Sequence, residues 1–261
     1  MPPPLFDTAL RALRRDRAAR LGPELFLFER VFEDILERIG AVPRRFERAL
    51  LVGCPDPTAA DRLADIAGRV DVIEPGPLFA AAAGAATVVE DAWEPEPGRY
   101  DLAVAIGTLD TVNDLPRALL AIRLALAPGG LLVGAFAGGE TLPQLRAAMR
   151  SADEVGGAAV PHVHPRIEPS ALAGLLAAAG LERPVVDVDR VTVSYASFDR
   201  LVADLRRMAA TNLLSGRSRR PLSRQERDAA AASFSAAGDG QRTVETFEIL
   251  HVAGWTEVPP D

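Results

Sequence analysis

The sequence predicts an α/β fold built on a mostly parallel sheet, and three observations carry that prediction. Apolar runs of strand length alternate with stretches of helical periodicity through the middle of the chain. Such a series, joined by right-handed crossovers, builds a parallel sheet. Several runs end on carboxylates or small residues, as at Glu74, Glu90-Asp91 and Gly107. The stretch from Arg48 to Asp91 forms a complete strand, turn, helix and strand unit, with its acids at the strand ends.

Taken in order, Met1 to Gly40 predicts two helices divided by Gly22-Pro23. The first sets Leu5, Phe6, Leu10 and Leu13 on one side, and its arginines Arg11, Arg14, Arg15, Arg17 and Arg20 read as a solvated face. The second places Leu25, Phe28, Phe32, Ile35 and Ile39 at helical spacing. It is expected to pack on the sheet or cover a pocket, with Gly40 ending it.

The Arg48–Asp91 unit then supplies a first strand, the turn Gly53-Cys54-Pro55-Asp56-Pro57, a helical pattern, a second strand closing on Glu74 and a third closing on Glu90-Asp91. Ligands of open parallel sheets bind beyond the carboxyl ends of the strands, and an acid about 20 residues after the first turn reaches ribose hydroxyls. Glu74 stands 21 positions after Gly53, so a nucleoside-cofactor site is predicted here.

Tyr100 to Ile106 is a fourth strand, ending at Gly107. The stripe Leu115, Leu119, Ile122 and Leu126 marks a helix stopped by Pro128-Gly129-Gly130, and Leu131 to Phe136 is a fifth strand. Beyond it come a helix from Thr141 to Ser151, and an apolar helix opened by Pro169-Ser170, ended by Gly180 and expected against the sheet. The long strand Pro184–Tyr195 is interrupted by Asp187, Asp189 and Arg190, which suits a partly exposed position. Ser197 to Ala237 is helical, and Arg242 to Trp255 is the last strand. Asp110, just past the fourth strand, reads as a helix cap or solvent-facing group rather than a base. His162 and His164 lie between prolines without further ligands nearby and read as loop residues, so no metal is expected.

Composition narrows the function classes. A net charge of -7 argues against nucleic acid as a partner. A single cysteine, Cys54, excludes an intrachain disulfide and fits a reducing compartment. No apolar run reaches membrane-spanning length, so a cytoplasmic protein is expected. The basic side chains are all arginine in an alanine-rich chain, as in GC-rich bacterial genomes.

The block YDLAVAI to VNDLPRALLAIRLALAPGGLLVGAF, with the strand-end acids before it, resembles the class I S-adenosylmethionine-dependent methyltransferases over roughly Phe46 to Gly180. Nearly the whole chain, through LFDTALRALRRDRAAR, VNDLP, VVDVDRVTVSY, RMAATNLLSGRSRRPL and TFEILHVAGW, resembles bacterial relatives of the mitochondrial complex I assembly factors of methyltransferase fold. It is also similar to the malonyl-carrier-protein O-methyltransferases. The resemblance implies a Rossmann-like seven-stranded sheet with an antiparallel final strand. It divides the chain into an N-terminal helical segment, 1–45, and a methyltransferase-like domain, 46–261, with a helical insertion at 197–237.

The cofactor implied is S-adenosylmethionine. By the same resemblance, Gly53 and Cys54 form its loop, Glu74 with Pro75 holds the ribose, Asp91 with Ala92 meets the adenine, and Ile106 with Gly107 flanks the methionine. Leu51, Pro55 and Pro57 replace an acid and two glycines of the family, and proline removes a backbone donor and fixes φ. Two functions follow: methyl transfer to a protein or other anionic acceptor, and an assembly factor that is non-catalytic or hydroxylates arginine. Methyl displacement requires alignment more than a dedicated catalytic side chain, and none stands out. A nicotinamide enzyme ranks behind both, because the chain lacks a G-x-G-x-x-G loop. The arginine-rich segment after Thr211 is the expected substrate surface, through Asn212, Arg217, Arg219 and Arg220, since arginine forks suit carboxylates and phosphates.

Overall fold

The computed structural model describes residues 3–258. Their order is α1 (Thr8–Leu21), α2 (Phe26–Gly40), β1 (Phe46–Val52), α3 (Thr58–Ala64), β2 (Ala67–Glu74), α4 (Pro77–Ala82), β3 (Ala86–Thr87), β4 (Tyr100–Ile106), α5 (Leu115–Ala125), β5 (Leu126–Ala137), α6 (Pro143–Gly156), α7 (Pro169–Ala178), β6 (Leu181–Tyr195), α8 (Phe198–Arg207), α9 (Arg224–Ala236) and β7 (Thr243–Thr256). The seven strands form one sheet in the order β3-β2-β1-β4-β5-β7-β6. β1 to β5 pair in parallel, and β7 inserts antiparallel between β5 and the edge strand β6.

Strand periodicity divides the core into two layers. On one face Leu50, Val52, Ala103, Ala105, Leu132 and Val252 pack with Leu119 and Ile122 of α5 and with Leu172 and Leu176 of α7. Their sequence neighbours Ala49, Leu51, Leu102, Val104, Leu131 and Val133 face the other way, toward Phe32, Ile35 and Ile39 of α2 and Leu63 of α3. A central parallel strand buried on both faces must be apolar there, and residues 49–52 of β1 and 102–106 of β4 are, whereas Glu47, Arg48 and Asp101 lie at the less buried strand starts. Leu51, at the position of the family's acid, is one of these core residues. α2 thus packs on the sheet, while its Phe28 also lines a cavity.

Four expectations about boundaries change. The third strand is only Ala86–Thr87, because the chain turns out of the sheet and Glu90–Ala92 forms a 3-10 turn. Pro128-Gly129-Gly130 does not follow a helix directly but lies within β5, where the register against β4 shifts between Tyr100 and Leu102. This is a bulge, and Thr256 Oγ1 satisfies the Gly130 N–H at 2.8 Å. The helix expected from Thr141 starts at Pro143 and runs on to Gly156, its first turn capped by the buried Glu245, which accepts the Leu145 N–H at 2.8 Å. The helical span 197–237 is two helices, separated by a loop that holds Gly216 and Pro221; Ser223 and Glu226 form a capping box that restarts the chain as α9.

α6, α8 and α9 bury a satellite core of Leu145, Met149, Phe198, Leu201, Leu205 and Phe234 beside Phe247 of β7. Replacing Phe32, fully buried between α2 and the sheet, by alanine is expected to cost about 3–5 kcal/mol of stability, measured by chemical denaturation.

Candidate functional site

The site begins where β1 ends. Gly53 has φ +86°, and a Cβ there would meet the Thr108 methyl at 2.6 Å and collide with the Ile106 carbonyl, so only glycine lets β1 and β4 close together at this point. The next turn is stabilised by Asp56, whose carboxylate accepts the Thr58 N–H at 3.0 Å and the Thr58 hydroxyl at 2.8 Å. Cys54 is buried, and burial together with the charge of Glu74 pushes its thiol up to about 12. It stays protonated at neutral pH and is no nucleophile.

Glu74 is fully buried at the end of β2 with all its acceptor positions used. Oε1 accepts the Gly76 N–H at 2.7 Å and Arg15 Nε; Oε2 accepts the Cys54 N–H at 2.8 Å and Arg15 Nη2 at 2.7 Å. One turn earlier on α1, Arg11 also forks onto a carboxylate, its Nη1 and Nη2 donating to Glu90 at 2.6 and 2.9 Å, and Nη2 donates to the Thr108 carbonyl at 2.7 Å. The arginines of α1 are therefore not a uniformly solvated face. Arg11, Arg15 and Ala18 are its buried side, and Leu13 is 62% exposed. Two buried carboxylates demand paired cations, which outweighs the apolar stripe in orienting this helix. Gly76 permits the approach, since a Cβ there would meet the Arg15 Cβ at 2.7 Å, and Phe79 stacks under the guanidinium at 5.3 Å.

Asp91 also has backbone partners: its Oδ2 accepts the N–H groups of Asn113 and Asp114 at 2.8 and 2.9 Å. Asn113 in turn bonds both backbone groups of Phe6, at 2.8 and 3.0 Å, which ties the start of α1 to the turn before α5. Pro75 is buried beside Glu74, and Ala92 is exposed at the 3-10 turn.

Beyond Arg15 lies a cavity of about 180 Å³ at the ends of β4 and β5, walled by Pro55, Phe79, Ile106, Gly107, Phe28 and Met208. Asp110 and Arg166 pair on its wall. Asp110 is thus neither a cap nor solvent-facing; Asp114 caps α5, accepting the Arg117 N–H at 3.0 Å. Burial pulls the Arg166 guanidinium down to about 10, leaving it charged at neutral pH beside its partner.

A second cleft of about 510 Å³ opens between α1, α6 and α8. Of the expected substrate residues, Asn212 lines it and donates to the Pro161 carbonyl at 2.8 Å. Arg217 pairs with Asp7 at 3.3 Å, Arg220 forks onto Glu226, and Arg219 is exposed. The cleft instead collects Arg206, which belongs to the arginine cluster expected at the substrate surface, together with Arg14 and Arg17, which read from the sequence as part of a solvated face. His162 lies 2.7 Å from Asp153, and His164 accepts the Leu213 N–H at 2.9 Å.

The seven-stranded order with an antiparallel β7 and the acid at the end of β2 can be set against known proteins. The methyltransferase domain profile matches residues 15–186. The chain belongs to the methyltransferase-domain family. Rat "Arginine-hydroxylase NDUFAF5, mitochondrial" is 32% identical over 96% of this chain and 77% of its own length. "Malonyl-[acyl-carrier protein] O-methyltransferase" of Xylella fastidiosa is 32% identical over 56% of this chain and 48% of its own. Among solved structures, a putative methyltransferase of Bacillus halodurans shares the fold with TM-score 0.60 at 11% identity, covering 86% of this chain and 98% of that one. The N-methyltransferase NodS of Bradyrhizobium japonicum, solved with S-adenosyl-L-homocysteine, gives 0.51 at 17% identity, over 96% and 99% of the two chains. Both relationships read from the sequence are present, and the methyltransferase-domain match extends into α1, beyond the sheet itself.

His164 is buried under Phe6, and burial pulls its imidazole down to about 4 from 6.5. Protons then bind the unfolded chain preferentially, so the stability that neutral His164 provides is present above pH 6.5 and lost as pH falls toward 4. Melting temperatures are expected to fall more steeply across this window in the wild type than in His164→Gln.

Proposed function

We propose that the chain is an S-adenosylmethionine-dependent methyltransferase-like enzyme of the cytoplasm acting on a protein or other anionic acceptor. The observation that carries this reading is the strand-end cradle: Gly53, where a side chain does not fit, beside Glu74 and the cavity at Ile106 and Gly107. These residues suit the cofactor in kind. Glu74 would accept the ribose hydroxyls, the Asp91 and Ala92 turn would border the adenine, and Cys54 and Pro75 would line the nucleoside. Ile106 and Gly107 would flank the methionine end. The bound cofactor would supply an electrophilic methyl group. The protein's own contribution is alignment and exclusion of water, which Phe28, Phe79 and Met208 provide at the cavity wall. No helix among the described residues is long and apolar enough to cross a membrane.

Arg15 decides whether this cradle can be used. Its two N–H bonds to Glu74 occupy the acceptors that two ribose hydroxyls would need, so nucleoside binding exchanges one set for the other. This occupancy favours a second reading, an assembly factor for respiratory complex I that is non-catalytic or hydroxylates arginine, the latter being the activity in the name of the NDUFAF5 relatives. Asn212, Arg217, Arg219 and Arg220 remain the proposed contacts for a protein acceptor.

Calorimetry on the full chain separates the two. On the enzyme reading, S-adenosylmethionine and S-adenosylhomocysteine bind, Glu74→Ala abolishes the heat, and Arg15→Met tightens binding by roughly tenfold or more, about 1.4 kcal/mol. Absence of heat for both ligands, in the wild type and in a folded Arg15→Met variant, would sink it and leave the assembly factor.

A further inference from the structure

The larger cleft carries a charge that the nucleoside cradle does not use. Arg14 and Arg17 leave α1 on the flank beside Arg11 and Arg15, and Arg206 comes from the last turn of α8. All three line the same cleft. The nearby carboxylates already have partners: Asp7 with Arg217, Asp199 on the cleft wall with Arg227 of the same wall at 2.6 Å, and Asp16 with Arg20 and the Leu78 N–H. Arg14 Nε is shut off from solvent with no acceptor, and so is the hydroxyl of Thr211 on the same cleft.

Splaying into water would account for Arg17 and Arg206, whose head groups are exposed. It does not account for the two buried donors. A half-buried guanidinium without an acceptor is costly, and neighbouring like charges raise the cost. Burial first, and then the charges of Arg17, Arg217 and Arg206, hold Arg14 below the usual arginine value. An oxyanion entering between them would relieve the repulsion and satisfy the open donors together, and guanidinium forks match its geometry. The apolar wall of Met149 and Phe198 lowers the local dielectric and strengthens that attraction.

We propose that this cleft is an oxyanion subsite, in which Arg14, Arg17 and Arg206, with the Thr211 hydroxyl, hold a phosphate or carboxylate group of the acceptor. Only the word acceptor rests on the enzyme reading; the subsite itself is read by anion binding alone. The test is calorimetric titration of the full chain at low ionic strength with inorganic phosphate and, separately, with succinate, and with no nucleoside present. Saturable binding of either anion is expected, weakened roughly tenfold or more by Arg14→Gln and by Arg206→Gln, and unchanged by Arg45→Gln at an exposed position outside the cleft. The tighter of the two anions identifies the group. Thermal melts establish that the variants fold, and Arg206→Gln, on a different helix, decides the matter if Arg14→Gln does not. No saturable binding of either anion, or equal weakening by Arg45→Gln, overturns the subsite while leaving the cofactor titration to stand or fall separately.

Discussion

Two buried arginine forks, Arg15 on Glu74 and Arg11 on Glu90, hold the N-terminal helix across the carboxyl ends of the strands. A buried carboxylate that loses its partner leaves an uncompensated charge at a cost of about 3–5 kcal/mol, so each acid must keep a cation or exchange it for other donors. The parallel sheet creates this demand by ending β2 on an acid inside the protein. α1 answers it, and in doing so covers the ground a nucleoside would need.

The same helix links the two cavities. Its inward arginines pair with the acids at the strand ends, while Arg14 and Arg17 face the cleft beside α8. Phe6, held by Asn113 and bridged to Leu214, joins the start of α1 both to the turn before α5 and to the loop after α8. Any displacement of α1 from Glu74 therefore changes the wall of the outer cleft. On the proposed function, cofactor exchange and acceptor binding would meet in this one element.

Loop substitutions that look damaging in isolation are absorbed by the local structure. Only Gly53 of the first turn needs a left-handed backbone, and it is a glycine. Pro57 precedes α3 and Pro55 walls the cavity, both at positions where no ladder donor is lost. The polar work of that turn falls to the Cys54 N–H, which already bonds Glu74 at 2.8 Å.

Period and spacing determined the architecture. Apolar strands alternating with helices, the long exposed-edge pattern at Asp187 to Arg190 and a final strand at Thr243–Thr256 fix a mostly parallel sheet, because side-chain burial repeats every second residue in a strand and about every third or fourth in a helix. Glu74 and Gly53 were legible for the same reason, as strand-end positions. What the sequence could not express was which charges would meet. Arg11 and Glu90 are 79 positions apart, and Arg15 and Glu74 are 59 apart, so their pairing depends on where α1 crosses the sheet. A solvated arginine and a buried one look alike along the chain, and only tertiary packing, by removing water from both partners, decides between them.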